Sequence, residues 1–113
     1  MKSVKLLLLF FTLAGGVCLL RPASAAPAVF ADEGTMFSKS CASCHGADGH
    51  GQTAKGKRLG ATDLTNANWQ GKTSDAKIIR AITKGKGAMP DYEKTYNADQ
   101  IKALAAFVRG LKQ

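Results

Sequence analysis

Cysteine and histidine are scarce in this sequence, and their scarcity limits the kinds of site that it can build. The 113 residues include three cysteines and two histidines. Cys18 lies in an apolar run near the start, which leaves Cys41 and Cys44 for a folded domain. Two cysteines cannot form a framework of several disulfides. A closed zinc site needs four ligands, and only Cys41, Cys44, His45 and His50 are at hand, crowded into one short stretch.

Long blocks of like charge are also missing. The sequence has 16 basic and eight acidic residues, for a net charge of +8, but the basic residues are spread along the chain. A clustered basic patch is the usual footprint of a nucleic-acid-binding protein, so we expect no nucleic acid partner. The excess of positive charge instead favours encounter with acidic proteins.

The longest hydrophobic run, Leu6–Leu20, is short for a membrane-spanning helix, which needs about 20 residues. It follows a basic start and is followed by the small-residue pattern Ala23-Ser24-Ala25. This is the layout of a cleavable secretory signal peptide. We predict a signal over residues 1–25 and one domain over residues 26–113, exported to the periplasm. After cleavage, 13 basic and eight acidic residues would remain, a net charge of +5, with no stable membrane insertion; an uncleaved run would act as an anchor.

Strand signals are absent, whereas helix signals mark three segments. The predicted helices run from Asp32 to about Ser40, from Ser74 to about Lys84, and from Asn97 onward. Gln100 completes a capping box with the last N-cap. The clearest apolar stripe follows it: Ile101, Leu104, Ala105, Val108 and Leu111. Residues 46–60 and residues 85–96 are predicted loops. Because short helices are marginal alone and long loops are unusual in small domains, we predict an all-α domain built around an internal ligand.

The motif Cys41-Ala42-Ser43-Cys44-His45 is the C-x-x-C-H signature for covalent attachment of haem c. Positions i and i+3 lie on one face of a helix, so both thiols can bond to one edge of the porphyrin while His45 ligates the iron. A disulfide is an alternative, although its tiny loop would restrict the unfolded chain little. A thioredoxin-like thiol pair would need a βαβ setting, and a zinc site would need more ligands.

Met89 is the expected second axial ligand. His and Met ligation of haem iron is typical of electron-carrying cytochromes c. Met89 lies in the loop segment Gly87–Pro90, whose proline favours an extended backbone at the preceding residue. Met36 is expected to pack in the core. His50 is too close to His45 in sequence to reach the opposite side of a haem easily, and it is expected to be a solvated loop residue.

With these motifs the sequence resembles the class I single-haem c-type cytochromes, of the small bacterial soluble kind. The resemblance rests on the C-x-x-C-H motif, Asp63-Leu64-Thr65, "ITKGKGAMP" and the C-terminal "IKALAAFVRGL". It implies a cytochrome c fold of three to five short helices and long loops around one covalent haem c. It also implies that the first and last helices cross, with Gly34 allowing a close approach and Phe37 meeting Phe107.

The resemblance implies further haem contacts. Leu64, Ile79 and Ile82 are expected to pack against the haem. Trp69 is expected either to donate its indole N–H to a haem propionate or to pack in the core. The His45 ring N–H is expected to donate to a backbone carbonyl of the following loop, with the acceptor left open.

We therefore expect a monomeric one-electron carrier, not an enzyme, that moves electrons between redox proteins. Its partners would carry acidic docking surfaces, steered by lysines such as Lys55, Lys57, Lys84 and Lys86. Three alternatives stay open: a dedicated subunit of a dehydrogenase or oxidase, a haem sensor or enzyme with an open iron site, and a thiol protein without haem.

Overall fold

A computed structural model of the protein describes residues 30–113. The predicted signal peptide, residues 1–25, lies outside the described residues. Six helices follow one another: α1 (Phe30–Ser40), α2 (Ala42–His45), α3 (Ala54–Leu59), α4 (Ala67–Lys72), α5 (Asp75–Lys84) and α6 (Ala98–Gly110). Between residues 30 and 113 there is no strand, and a single isolated bridge pairs Lys86 with Met89. The all-α prediction is confirmed, with one helix more than the predicted upper number.

Local capping chemistry starts the later helices where the sequence predicts. The Ser74 side chain accepts from the backbone N–H of Lys77 at the start of α5. Asn97 and Gln100 form the predicted capping box at the start of α6. Helix α1 begins at Phe30, two residues before the predicted Asp32. Side-chain caps satisfy N–H groups that have no partner in the first turn, so these starts depend on local sequence alone.

Helix α3 lies inside the segment 46–60 that was predicted to be a loop, and that prediction is wrong. The Thr53 side chain accepts from the backbone N–H of Gly56 at its start, and Gly60 ends it in the left-handed conformation with φ of 67°. The helix has no apolar stripe because it is six residues long and largely exposed. The Thr53 cap at its start and the left-handed Gly60 at its end are the local features that define this helix.

The core lies where α1 crosses α6. Phe37 and Phe107 meet with ring centroids 5.0 Å apart, and Leu104 is 1% exposed. The predicted crossing is confirmed. A Cβ added at Gly34 would lie 3.7 Å from the Phe107 ring, which is ordinary van der Waals contact. Gly34 thus allows the close approach, as expected, and there is also room for a Cβ at this position.

A polar clamp ties α4 to α6. Gln70 is buried, and its side-chain amide donates to the backbone carbonyls of Leu64 and Val108 at 2.7 and 2.8 Å. Arg109 donates to the carbonyl and side-chain oxygens of Gln70 at 2.7 and 2.9 Å, and it also pairs with Asp75. These bonds fix the short helix that carries Trp69. Among the described helices, none has the length and apolar character needed to cross a membrane.

Candidate functional site

One cavity of about 590 Å³ lies between the helices. Its volume is within the roughly 300–1,000 Å³ found for pockets that hold organic ligands. Seven of the eight predicted site residues line it: Cys41, Cys44, His45, Leu64, Trp69, Ile82 and Met89. The chain therefore brings together, from four separate segments, the residues that the sequence analysis selected.

Ile79 is the exception, because it does not line the cavity. It is partly buried against the hydrophobic core, and Ile78 lines the cavity in its place. Ile78 and Ile82 are four residues apart and share one face of α5, and Ile79 lies about 100° further round the helix axis than Ile78. The structure therefore places Ile78, and not the predicted Ile79, beside Ile82 in the cavity wall. Leu104 and Val108 of the last helix also line the cavity, as does Tyr92, which was not predicted to do so.

The two thiols of the motif are free and half-buried. Cys41 follows the last residue of α1, and Cys44 lies in the one-turn helix α2. Burial, and secondarily the neighbouring Cys44, raises the pKa of the Cys41 thiol to about 11. A thiol that stays protonated is a poor nucleophile and a poor metal ligand. This disfavours the thioredoxin-like pair, and among the described residues no group of three or more His, Cys, Asp or Glu side chains could hold a zinc ion.

The ring of His45 is oriented by a backbone carbonyl. Its Nδ1 lies 3.0 Å from the carbonyl oxygen of Thr62. A carbonyl can only accept, so Nδ1 carries the proton and Nε2 keeps a free lone pair for a metal. The acceptor that the sequence left open is thus Thr62, beyond α3. The turn at Gly51 packs on this segment, since a Cβ there would lie 2.8 Å from the Ala61 carbonyl oxygen.

Helix α3 packs directly on the backbone of the C-x-x-C-H motif. A Cβ added at Gly56 would overlap the Cys44 carbonyl oxygen and lie 2.6 Å from the Gly51 carbonyl oxygen. The Thr53 hydroxyl lies 2.8 Å from the Ser43 carbonyl oxygen, to which it donates. These contacts hold the end of the motif in place, and they explain why a glycine lies inside so short a helix.

His50 does not line the cavity, and it is not simply solvated as predicted. It is half-buried, with Nδ1 3.1 Å from the hydroxyl oxygen of Thr65 and 3.5 Å from a carboxylate oxygen of Asp63. Hydrogen bonds from the hydroxyl and the backbone N–H of Thr65 hold the pKa of Asp63 below its ordinary value. This small network fixes the segment next to Thr62, so His50 supports the surroundings of His45 from outside the cavity.

Met89 reaches the cavity from a tight turn after α5. Its backbone N–H and C=O both pair with Lys86 at 3.0 Å. Gly85 lies at φ of 73°, and a Cβ there would lie 2.6 Å from the Met89 carbonyl oxygen, so the turn requires glycine. Met89 is half-buried and lines the cavity.

The charged residues that line the cavity are all cationic. They are Lys77, Arg80 and Lys86, and no lining residue is acidic. A haem is a flat, largely apolar ring that carries two carboxylates and needs axial donors for its iron. The cavity offers apolar walls, two thiols, an imidazole, a thioether and positive charge, so the residues present fit this group. Trp69 also lines the cavity. Its indole N–H can donate to a haem carboxylate there, or its ring can pack as part of the cavity wall.

Comparison with known proteins agrees with this fit. A family model described as cytochrome c oxidase, cbb3-type, subunit III matches residues 30–108. The chain belongs to the c-type cytochromes. Its cofactor is a covalently bound haem c. It is 41% identical to cytochrome c6 of Leptolyngbya boryana over 75 residues, which covers 66% of this chain and 84% of that protein.

Two further comparisons extend this result. The cytochrome is 36% identical to the cbb3-type oxidase subunit CcoP of Azospirillum brasilense over 78 residues, or 68% of this chain and 26% of that one. It therefore spans about a quarter of the length of the oxidase subunits that it matches. Among solved structures, the KustC0563 c-type cytochrome is similar with a TM-score of 0.68 and 36% identity, covering 72% of this chain and 98% of that one.

Proposed function

We propose that this cytochrome is a periplasmic one-electron carrier whose haem c is bonded to Cys41 and Cys44 and ligated by His45 and Met89. The observation that carries the proposal is the convergence of these four side chains on one cavity of about 590 Å³. The length and basic flank of the predicted signal peptide support export. The similarity to cytochrome c6 supports a carrier, since that protein matches along most of its length.

The bound haem supplies an iron that gains and loses one electron. With both His45 and Met89 holding the iron, no position would be left for oxygen or a substrate, so a carrier is favoured over an enzyme or a gas sensor. The thioether of Met89 favours the reduced state, as does the apolar wall that includes Leu64 and Ile78. The Nδ1–H of His45 donates to Thr62, which orients the imidazole and increases its basicity.

The surface around the cavity supports an acidic partner. Lys77, Arg80 and Lys86 are exposed and line the cavity. Leu59, which is 41% exposed, lines it too and offers an apolar contact. Lys84 is paired with Glu93, so it contributes less positive charge to this surface than the sequence analysis expected. Exposed charges act through the solvent and are screened by salt, so the proposed complexes are weak and sensitive to ionic strength.

A second function is favoured by one observation, the match of residues 30–108 to subunit III of cbb3-type oxidases. In that case the same chemistry would serve one enzyme complex. Purification from native membranes and periplasm separates the two functions. A free carrier is expected in the periplasmic fraction as a monomer, whereas a dedicated subunit would co-purify with a terminal oxidase.

The proposed function is tested with the full chain, exported in a host that attaches haem c. We expect a coloured periplasmic protein that keeps its haem after denaturation, titrates as a one-electron couple and reduces an acidic redox partner more slowly as salt is raised. A colourless protein would contradict the proposal and support the thiol alternative. Binding of carbon monoxide to the reduced protein at micromolar concentrations would indicate an open iron site and favour a sensor or enzyme.

A further inference from the structure

The side chains of Tyr92 and Tyr96, which follow Met89 in the chain, hydrogen-bond to Ser40. Ser40 is the residue before Cys41. The Tyr92 hydroxyl donates to the Ser40 carbonyl oxygen at 2.7 Å. The Tyr96 hydroxyl lies 2.6 Å from the Ser40 hydroxyl, and the two rings stack with centroids 6.0 Å apart. We name Ser40, Tyr92 and Tyr96 the Ser40 latch. It connects the segment that carries the proposed methionine ligand to the helix that carries the haem attachment motif.

Tyr92 is the part of the latch closest to the cavity. It lines the cavity, whereas Tyr96 does not, and it lies three residues after Met89. Its backbone N–H donates to the Ile82 carbonyl at 3.0 Å, so both its backbone and its side chain are tied to the wall. On the other side of Met89, the Lys86 bridge closes the turn. Met89 is therefore held between two anchored points.

The hydrogen bond from Tyr92 gives the Ser40 carbonyl a partner, which helix α1 itself cannot supply. The last carbonyls of an α-helix have no intrahelical partner, and Ser40 is the final residue of α1. Burial raises the pKa of Tyr92, so its hydroxyl keeps the proton that it donates. Loss of the hydroxyl would leave a part-buried acceptor unpaired and would weaken the attachment of one end of the Met89 segment, which would then depend on the Tyr92 backbone alone.

We propose that Tyr92 is a positioning residue that keeps Met89 against the haem iron by fastening its segment to Ser40. This inference rests on the proposed function, because it takes Met89 as the axial ligand. It predicts that the segment opens more often when the Tyr92 hydroxyl is removed, even though Tyr92 does not itself bind the iron.

The test is displacement of Met89 from the ferric cytochrome by imidazole, followed by stopped-flow absorbance. At saturating imidazole the observed rate is set by the opening of the Met89 segment. Tyr92→Phe removes one hydroxyl and keeps the ring, so the fold and the stack remain. We expect the limiting rate to rise roughly 3- to 10-fold, the effect of losing one intramolecular hydrogen bond, and the methionine-to-iron band to remain at equilibrium.

Two control variants make the test specific. Ser74→Ala removes the N-cap of α5, which costs similar stability but does not touch the latch, and it should leave the rate within about 2-fold of wild type. Ser40→Ala removes the partner of Tyr96 but keeps the carbonyl used by Tyr92, and its effect should be smaller than that of Tyr92→Phe. Equal rates for Tyr92→Phe and wild type would overturn the inference, as would equal acceleration by Ser40→Ala and Tyr92→Phe.

A failure of the proposed function is distinguishable from a failure of this inference. If wild type shows the methionine band, Met89→Ala abolishes it, and Tyr92→Phe changes nothing, only the role of Tyr92 is overturned. If Met89→Ala leaves both the band and the imidazole kinetics unchanged, the ligand assignment is wrong and the inference is overturned with it.

Discussion

Replacement of Gly56 by alanine should weaken the domain strongly, because α3 rests on the haem attachment motif at this residue. The new methyl group would overlap the Cys44 carbonyl oxygen and lie 2.6 Å from the Gly51 carbonyl oxygen. Both are backbone atoms, so neither can rotate away as a flexible side chain would. Overpacking of this kind costs about 2–3 kcal/mol. For a domain of this size, that lowers Tm by roughly 10–20 °C.

The matched control is Gly71→Ala, the same substitution in the short helix α4. Nothing lies within 4 Å of a Cβ at Gly71, and alanine is favoured over glycine in a helix by about 0.5–1 kcal/mol. Thermal unfolding of the haem-loaded proteins, followed by circular dichroism, should show Tm falling for Gly56→Ala and unchanged or higher for Gly71→Ala. A Gly56→Ala protein that melts within about 2 °C of wild type would refute the packing of α3 on the motif.

Two further predictions concern polar groups near the cavity. Gln70→Ala leaves the carbonyls of Leu64 and Val108 without the amide that now serves them, so the free energy of unfolding should fall by about 2–4 kcal/mol in a denaturant titration; a loss below about 0.5 kcal/mol would contradict the clamp. The pKa of Asp63 is lowered by Thr65, so the stabilisation from this carboxylate is fully present above its ordinary pKa and is lost as pH falls through the lowered one. Asp63→Asn should therefore flatten the acid side of a plot of Tm against pH, and an acid side as steep as that of wild type would count against the Thr65 contact.

Features that depend on nearby residues could be predicted from the sequence. The Ser74 cap and the Asn97–Gln100 capping box are local, and the structure has both. The C-x-x-C-H motif and Met89 were linked by chemistry alone, because few other residues can bind iron. The structure brings all four of these side chains to one cavity.

Features that depend on distant contacts were missed or misplaced. Helix α3 has no apolar stripe. It packs on the motif through the close approach of Gly56 to the Cys44 carbonyl oxygen, and no local pattern predicts that contact. Ile78 lines the cavity and Ile79 does not. Neighbouring residues point about 100° apart around the helix axis, and the sequence pattern did not show which of the two faces the cavity. Thr62 as the partner of His45 depends on how the chain returns after α3. Thr53 as an N-cap and Gly60 as a left-handed C-cap were the local signals that could have revealed that helix.

The absorption spectrum of the ferric Met89→Ala cytochrome tests the central claim most directly. Met36→Leu is the matched control, since Met36 is buried in the core and does not line the cavity. With haem covalently attached in both variants, the methionine-to-iron band should disappear in Met89→Ala and persist in Met36→Leu. A band that survives in Met89→Ala, or that is lost only in Met36→Leu, would contradict the assignment of Met89 to the iron.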